Sequence, residues 1–223
     1  MSIKTRSIII IFFAIALTGL ILIFLLKKES PAILNKNKIE IQSLIEYPAI
    51  FNYRQTINDC GPYNTFAVIR ALKGEDSDPQ AYVKSMKWRL PNKYTIPWGL
   101  EKQLEENGIV IETPNLEQLT NEDKIVFLKE QLTLKKPIII LGERENYEHY
   151  ITLFGFNSEK DEFYAYDSLY KKHISIEGIT EDDNGNLPGN RNLTSNELLN
   201  FWEKGGMYGL FKWYAIVASI KGA

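Results

Sequence analysis

Cysteine is almost absent from this 223-residue chain: Cys60 stands alone, so no intramolecular disulfide can form. Histidine is nearly as scarce, with only His149 and His173, and a zinc site built here would need carboxylates to complete it. No metal and no organic cofactor are expected. A basic surplus is missing too. The net charge is −2, and the first 29 residues carry Lys4, Arg6, Lys27 and Lys28 against Glu29 alone, which leaves the remainder more acidic than the whole. Such a domain has no positive stripe for a phosphate backbone, which argues against nucleic acid as a partner. Internal repeats, low-complexity tracts and a phosphate-cradling G-x-x-x-x-G-K-[ST] loop are also lacking.

What is present is 44% apolar residues, enough to bury the core of one domain of ordinary size. One long uncharged run stands apart, "IIIIFFAIALTGLILIFLL" at residues 8–26. As a helix it would extend roughly 28 Å, close to the thickness of a bilayer's hydrocarbon core. It reads as a membrane anchor after a short tail, 1–7, with a cleaved signal peptide as the alternative. The run exceeds an ordinary signal core, and no small-x-small cleavage site precedes "KKES". Basic residues flank it on both sides, so the positive-inside count is balanced. A short tail ahead of a large domain favours a single-pass protein with an extracytoplasmic domain. Residues 27–44 read as a spacer and 45–223 as the folded domain.

The periodicity of the domain changes midway. Residues 61–72 place Phe66, Ile69 and Leu72 on one stripe, and Pro62 suits a first helical turn, so a helix is predicted to begin just after Cys60. Further helices are predicted over 78–88, 97–107 and 121–134, and a late one over 194–204 capped by Thr194 or Ser195. Between and after them lie short runs rich in β-branched and aromatic residues, at 138–141, 149–157, 162–168 and 211–220, which read as strands. Helices first and an antiparallel sheet afterwards define an α+β fold.

"QTINDCGPYNTFAVIRAL" therefore sets the only thiol at a helix N-terminus, where unpaired amides and the helix dipole favour a thiolate. Such a sulfur attacks carbonyls if a proton carrier stands beside it. His149 opens an apolar strand after the polar stretch "GERENYE", whereas His173 follows "YKK" in an ordinary surface setting. A hairpin between 149–156 and 162–168 would bring His149 and Asp167 to the same end of the sheet, with Asp167 placed to orient the ring. Gln55, five residues before Cys60, has an amide that can join the Cys60 N–H in holding an oxyanion. Each residue also has a plainer reading: a core thiol, a buried histidine, a turn aspartate, a solvated glutamine. Their conjunction favours chemistry.

The series "QTINDCGPYNTFAVIRAL", "EHYITLFGF", "FYAYDS" resembles the papain-like cysteine peptidases of the bacteriocin-processing, double-glycine leader peptidase type, over roughly residues 48–220. The resemblance implies a papain-like fold with N-terminal helices packed on an antiparallel sheet. It also implies Cys60 as nucleophile, His149 as general acid/base, Asp167 as orienting residue and Gln55 as oxyanion donor. Peptides or proteins would be the substrates. Two departures stand out: family members are usually fused to an ABC exporter, and the bulky Tyr63 follows Gly-Pro where a small residue is common. Specificity for a double-glycine leader is therefore not carried over.

The same chemistry serves a cell-wall peptide hydrolase or an acyl transferase. Two non-enzymatic readings compete with these: a peptide-binding module on the same fold, and a tether whose aromatic-rich stretch "FWEKGGMYGLFKWY" makes the contacts. An acidic cluster at 182–184 reads as a turn rather than a calcium loop.

Overall fold

The computed structural model describes residues 40–170, 173–174, 180–181, 186–207 and 209–222. The proposed anchor at 8–26, the tail before it and the acidic cluster at 182–184 lie outside these residues. Among the described residues no helix is long and apolar enough to cross a membrane.

The chain runs β1 (Gln42–Leu44), α1 (Cys60–Lys73), α2 (Pro79–Ser85), α3 (Pro97–Glu106), β2 (Ile109–Glu112) and α4 (Asn121–Thr133). It continues through β3 (Ile138–Arg144), β4 (Tyr147–Asn157), β5 (Glu162–Tyr166), β6 (His173–Ile174), β7 (Thr180–Glu181), β8 (Arg191–Leu193), α5 (Ser195–Lys204) and β9 (Ala215–Ile220). The main sheet has the order β2-β9-β3-β4-β5-β8, with β1 pairing the far end of β4 and every pairing antiparallel. This is the α+β architecture expected. β1 falls inside the stretch expected to be spacer, so the folded domain takes in residue 42.

Helices cover both faces of the sheet. Ile139, Leu141, Tyr150 and Ile216 pack with Phe66 and Ile69 of α1 and Leu100 and Leu104 of α3. Ile138, Ile140, Ile151 and Leu153 pack with Phe127 and Leu128 of α4 and Leu198 and Trp202 of α5. Because side chains alternate along a strand, a segment buried on both faces is apolar without interruption, which is why residues 138–141 read Ile-Ile-Ile-Leu. Of the aromatic stretch at 201–214, Phe201, Trp202, Trp213 and Tyr214 are buried in this core.

Two expectations need correcting. "GERENYE" is a two-residue hairpin: Gly142 to Arg144 pair with His149 to Tyr147, and Glu145 and Asn146 turn the chain with φ of 52° and 66°. Positive φ at both central residues is the geometry that matches the twist of the flanking strands. His149 accordingly does not open its strand. It is the third residue of β4, which has β3 on one side and β5 on the other. The last strand is also shorter than expected, beginning at Ala215 after a turn in which Trp213 has φ of 54°.

Candidate active site

α1 begins at Cys60, one residue before the start its sequence predicts, and is buried from Cys60 through Ile69. The residue ahead of it, Asp59, does not cap the helix with its side chain. Its buried carboxylate accepts instead from Arg89 Nη2 at 2.6 Å and from the Thr56 hydroxyl. Arg89 Nη2 also donates to the Asn58 carbonyl at 3.1 Å, and Asn58 Nδ2 donates to the Asn92 carbonyl at 2.7 Å. The segment leading to the thiol is thus braced by the loop around residues 89–93. Gly61 is needed for this fit, since a Cβ there would stand 2.9 Å from Thr95 Cβ.

Asn64 then ties α1 to β4. Its Nδ2 donates to the carbonyls of Cys60 at 2.8 Å and Tyr150 at 2.9 Å, and its Oδ1 accepts from Thr152 Oγ1 at 2.6 Å. One fully buried amide therefore links the thiol's own residue to the neighbour of His149 in β4. Sequence reasoning passed over it; its signal was a polar residue one helical turn after Cys60.

His149 and Asp167 meet as the hairpin predicts. β5 ends at Tyr166, and Asp167 just beyond it accepts from His149 Nε2 at 2.7 Å, with side chains 1% and 0% exposed. The same carboxylate oxygen accepts from the Leu169 N–H at 2.9 Å. Its partner oxygen accepts from Arg191 Nη1 at 2.7 Å and Arg144 Nη1 at 3.2 Å. Asn190 fixes the backbone of Asp167 by accepting from its N–H and donating to its carbonyl. Arg144, Arg191 and Asn190 were not anticipated, because only the pairing of β5 with β8 brings the latter two near Asp167.

Burial raises the Asp167 carboxyl, but His149, Arg191 and Arg144 outweigh it and hold the group well below the usual carboxylate range. For His149, burial works against the charged ring. The Asp167 carboxylate prevails, aided by the Cys60 side chain, and raises the imidazole from 6.5 to about 9. With Nε2 engaged by Asp167, Nδ1 is left, buried and with no nitrogen or oxygen partner among the described residues, and the Cys60 side chain is the other titratable group that interacts with the ring. Phe201 walls the ring edge-on, its centroid 6.4 Å from that of His149. It can do so because Gly142, opposite His149 in β3, has no Cβ; one there would fall 2.2 Å from the Phe201 ring.

All of this opens on a cleft of about 540 Å³ lined by Gln55, Cys60, Tyr94, Arg144, Glu148 and His149, among others. Gln55 is held by its backbone N–H, which donates to the Ser168 carbonyl at 3.1 Å, and by its Oε1, which accepts from Ser168 Oγ at 2.6 Å. The structure thus brings Cys60, His149 and Gln55 to one cleft, with Asp167 behind the ring. His173 falls on the small β6–β7 sheet. Tyr63 is not a cleft residue: it is buried in the core, and its hydroxyl accepts from Gln80 Nε2 at 2.8 Å. No group of three or more metal-ligating side chains occurs among the described residues.

Comparison with family models and with curated proteins finds no match. Solved structures do match. The double-glycine motif protease of an AMS/PCAT transporter, determined with its leader peptide, superposes with a TM-score of 0.50 at 12% identity, covering 80% of this chain and 95% of that one. The peptidase domain of Streptococcus ComA, a bifunctional ABC transporter involved in quorum sensing, gives 0.49 at 14% identity, covering 80% and 98%. The fold is that of the double-glycine motif protease domain.

Proposed function

We propose that this protein is a cysteine peptidase or amide hydrolase acting on peptide substrates, with Cys60 as nucleophile, His149 as acid/base, Asp167 as orienting group and Gln55 as oxyanion donor. The observation that carries the reading is the buried His149–Asp167 hydrogen bond of 2.7 Å beside a thiol at a helix start, in a shared cleft. With Asp167 on Nε2, Nδ1 is the nitrogen that serves the sulfur.

In the reaction, His149 takes the thiol proton and the sulfur lone pair forms a bond to the carbonyl carbon, moving the C=O π pair onto oxygen. The Cys60 N–H and Gln55 Nε2 hold that oxyanion. Its collapse breaks the C–N bond as the His149 imidazolium protonates the leaving nitrogen. A water molecule, deprotonated by His149, then adds to the thioester; the C–S bond breaks, the acid departs, and the proton returns to sulfur. The basicity of His149, raised to about 9 chiefly by Asp167, favours the ring as holder of the proton it takes from the thiol and later gives to the leaving nitrogen.

The domain's tether in this proposal is the apolar run at 8–26, with the domain on the extracytoplasmic side. Peptide substrates are favoured because the neighbour with a leader peptide has the same fold. Tyr63 sits away from the cleft, so its bulk does not limit what the cleft admits.

The test is hydrolysis of a fluorescent peptide library by the full-length chain, with iodoacetamide labelling in parallel. Cleavage that disappears in Cys60→Ala and labelling of Cys60 far faster than an exposed reference thiol, slowed by His149→Ala, are the expected results. Labelling at the reference rate with no Cys60-dependent cleavage would leave the peptide-binding module.

A further inference from the structure

We propose that Ser168 is a positioning residue that locks the Gln55 amide with its NH₂ group toward the cleft, completing the oxyanion site. The inference rests on the hydrolase reading of that cleft and adds a residue to it.

An amide side chain has two faces of nearly equal shape and opposite use. Its NH₂ end stabilises a developing oxyanion, and its carbonyl end repels one. Something must choose between them. Gln55 lines the cleft beside Cys60, and its Oε1 is turned to the Ser168 hydroxyl at 2.6 Å. Nε2 has no partner among the described residues, which leaves it to a ligand.

The hydroxyl enforces that choice because Ser168 is fully buried and Gln55 Oε1 is the acceptor for its proton. If the amide turned over, Nε2 would donate to Ser168 Oγ, and the hydroxyl hydrogen would lose that acceptor inside the protein. A buried donor left unmatched is costly, so the orientation with Nε2 free is the favoured one. The backbone adds a second restraint, through the Gln55 N–H and the Ser168 carbonyl at 3.1 Å.

Ser168 directly follows Asp167. One dipeptide at the end of β5 therefore sets both halves of the site: the carboxylate that holds the imidazole and the hydroxyl that aims the oxyanion donor. The proton-transfer apparatus and the anion-stabilising apparatus share a single stretch of backbone.

The experiment compares two reactions of Cys60 in the full-length chain. p-Nitrophenyl acetate acylates the sulfur through a tetrahedral oxyanion and releases p-nitrophenolate, whereas iodoacetamide alkylates it by direct displacement with no oxyanion. Ser168→Ala is expected to slow the Cys60-dependent acylation about tenfold, a fraction of the 10²–10³ lost with a whole oxyanion donor, and to leave alkylation unchanged. Gln55→Glu keeps an acceptor for Ser168 but removes the donor, and is expected to lose about 100-fold in acylation. In a Gln55→Ala background Ser168→Ala is expected to add nothing, since it acts through that amide.

Acylation at the wild-type rate in Ser168→Ala overturns the proposal. So does a parallel fall in acylation and alkylation, or an undiminished effect in the Gln55→Ala background, both of which mark a purely structural residue. A wild-type chain with no Cys60-dependent release overturns the hydrolase reading itself, and the Ser168 assignment with it.

Discussion

The two nitrogens of His149 live in opposite surroundings. Nε2 donates to a carboxylate that itself accepts from two arginines and a backbone amide, while Nδ1 is buried with no nitrogen or oxygen partner among the described residues. The protein fastens one side of the ring through a carboxylate that is itself held by several donors, and leaves the other side without such a hold. Buried polar atoms are nearly always satisfied, so a ring nitrogen with no nitrogen or oxygen partner stands out, and in the proposed reaction it is the one that serves the Cys60 sulfur.

The comparison breaks most completely from the open side. Cys60→Ala is expected to abolish the burst of p-nitrophenolate from p-nitrophenyl acetate, measured against buffer, while leaving the His149–Asp167 pair in place. A residual burst of wild-type size would move the nucleophile elsewhere. From the fastened side, Asp167→Asn keeps a hydrogen-bond acceptor but removes the charge that raises the ring. Peptide cleavage is expected to fall about 100-fold, the lower end of what a positioned acid/base contributes. The alkaline limb of the alkylation profile, set by His149 at about 9, should move to lower pH.

Arg191→Gln tests the same side with the opposite sign. It removes a cation that competes with His149 for Asp167, so the alkaline limb should move to higher pH, by less than the Asp167→Asn shift. Smaller still is the effect on stability. His149 has a folded value of about 9 against 6.5 unperturbed, so its contribution is complete below about 6.5 and lost as pH rises through about 9. Asp167, held below its unperturbed 3.8, contributes above that pH and loses its contribution on acidification. Urea midpoints should decline between pH 6.5 and 9.5, and His149→Ala should flatten that slope.

How much of this was legible beforehand depends on how local each signal was. The start of α1 at Cys60 follows from Gly-Pro and an apolar stripe, and the meeting of His149 with Asp167 follows from a hairpin with an obvious polar connection at 158–161. The hairpin at Glu145 and Asn146 was missed because it lacks the glycine that usually announces such a turn. β1, β2 and β8, of three or four residues each, are too short to show a period, and they exist through pairing with β4, β9 and β5. Asn64, Arg144, Arg191 and Ser168 looked like ordinary polar residues, since the partners that tie them into the site across the fold lie 23 to 113 positions away along the chain.

β4 gathers three different duties onto adjacent positions. The Glu148 carboxylate accepts from the backbone amides of Gly206 and Met207, His149 donates to Asp167, and the Tyr150 hydroxyl donates to the Thr95 carbonyl while its own carbonyl accepts from Asn64. Changes of chain length should consequently be tolerated very unevenly. An extra residue at the 145–146 turn enlarges a surface loop, whereas one inserted between 149 and 152 turns every following side chain to the opposite face and detaches the helix bearing the thiol from the strand bearing the base.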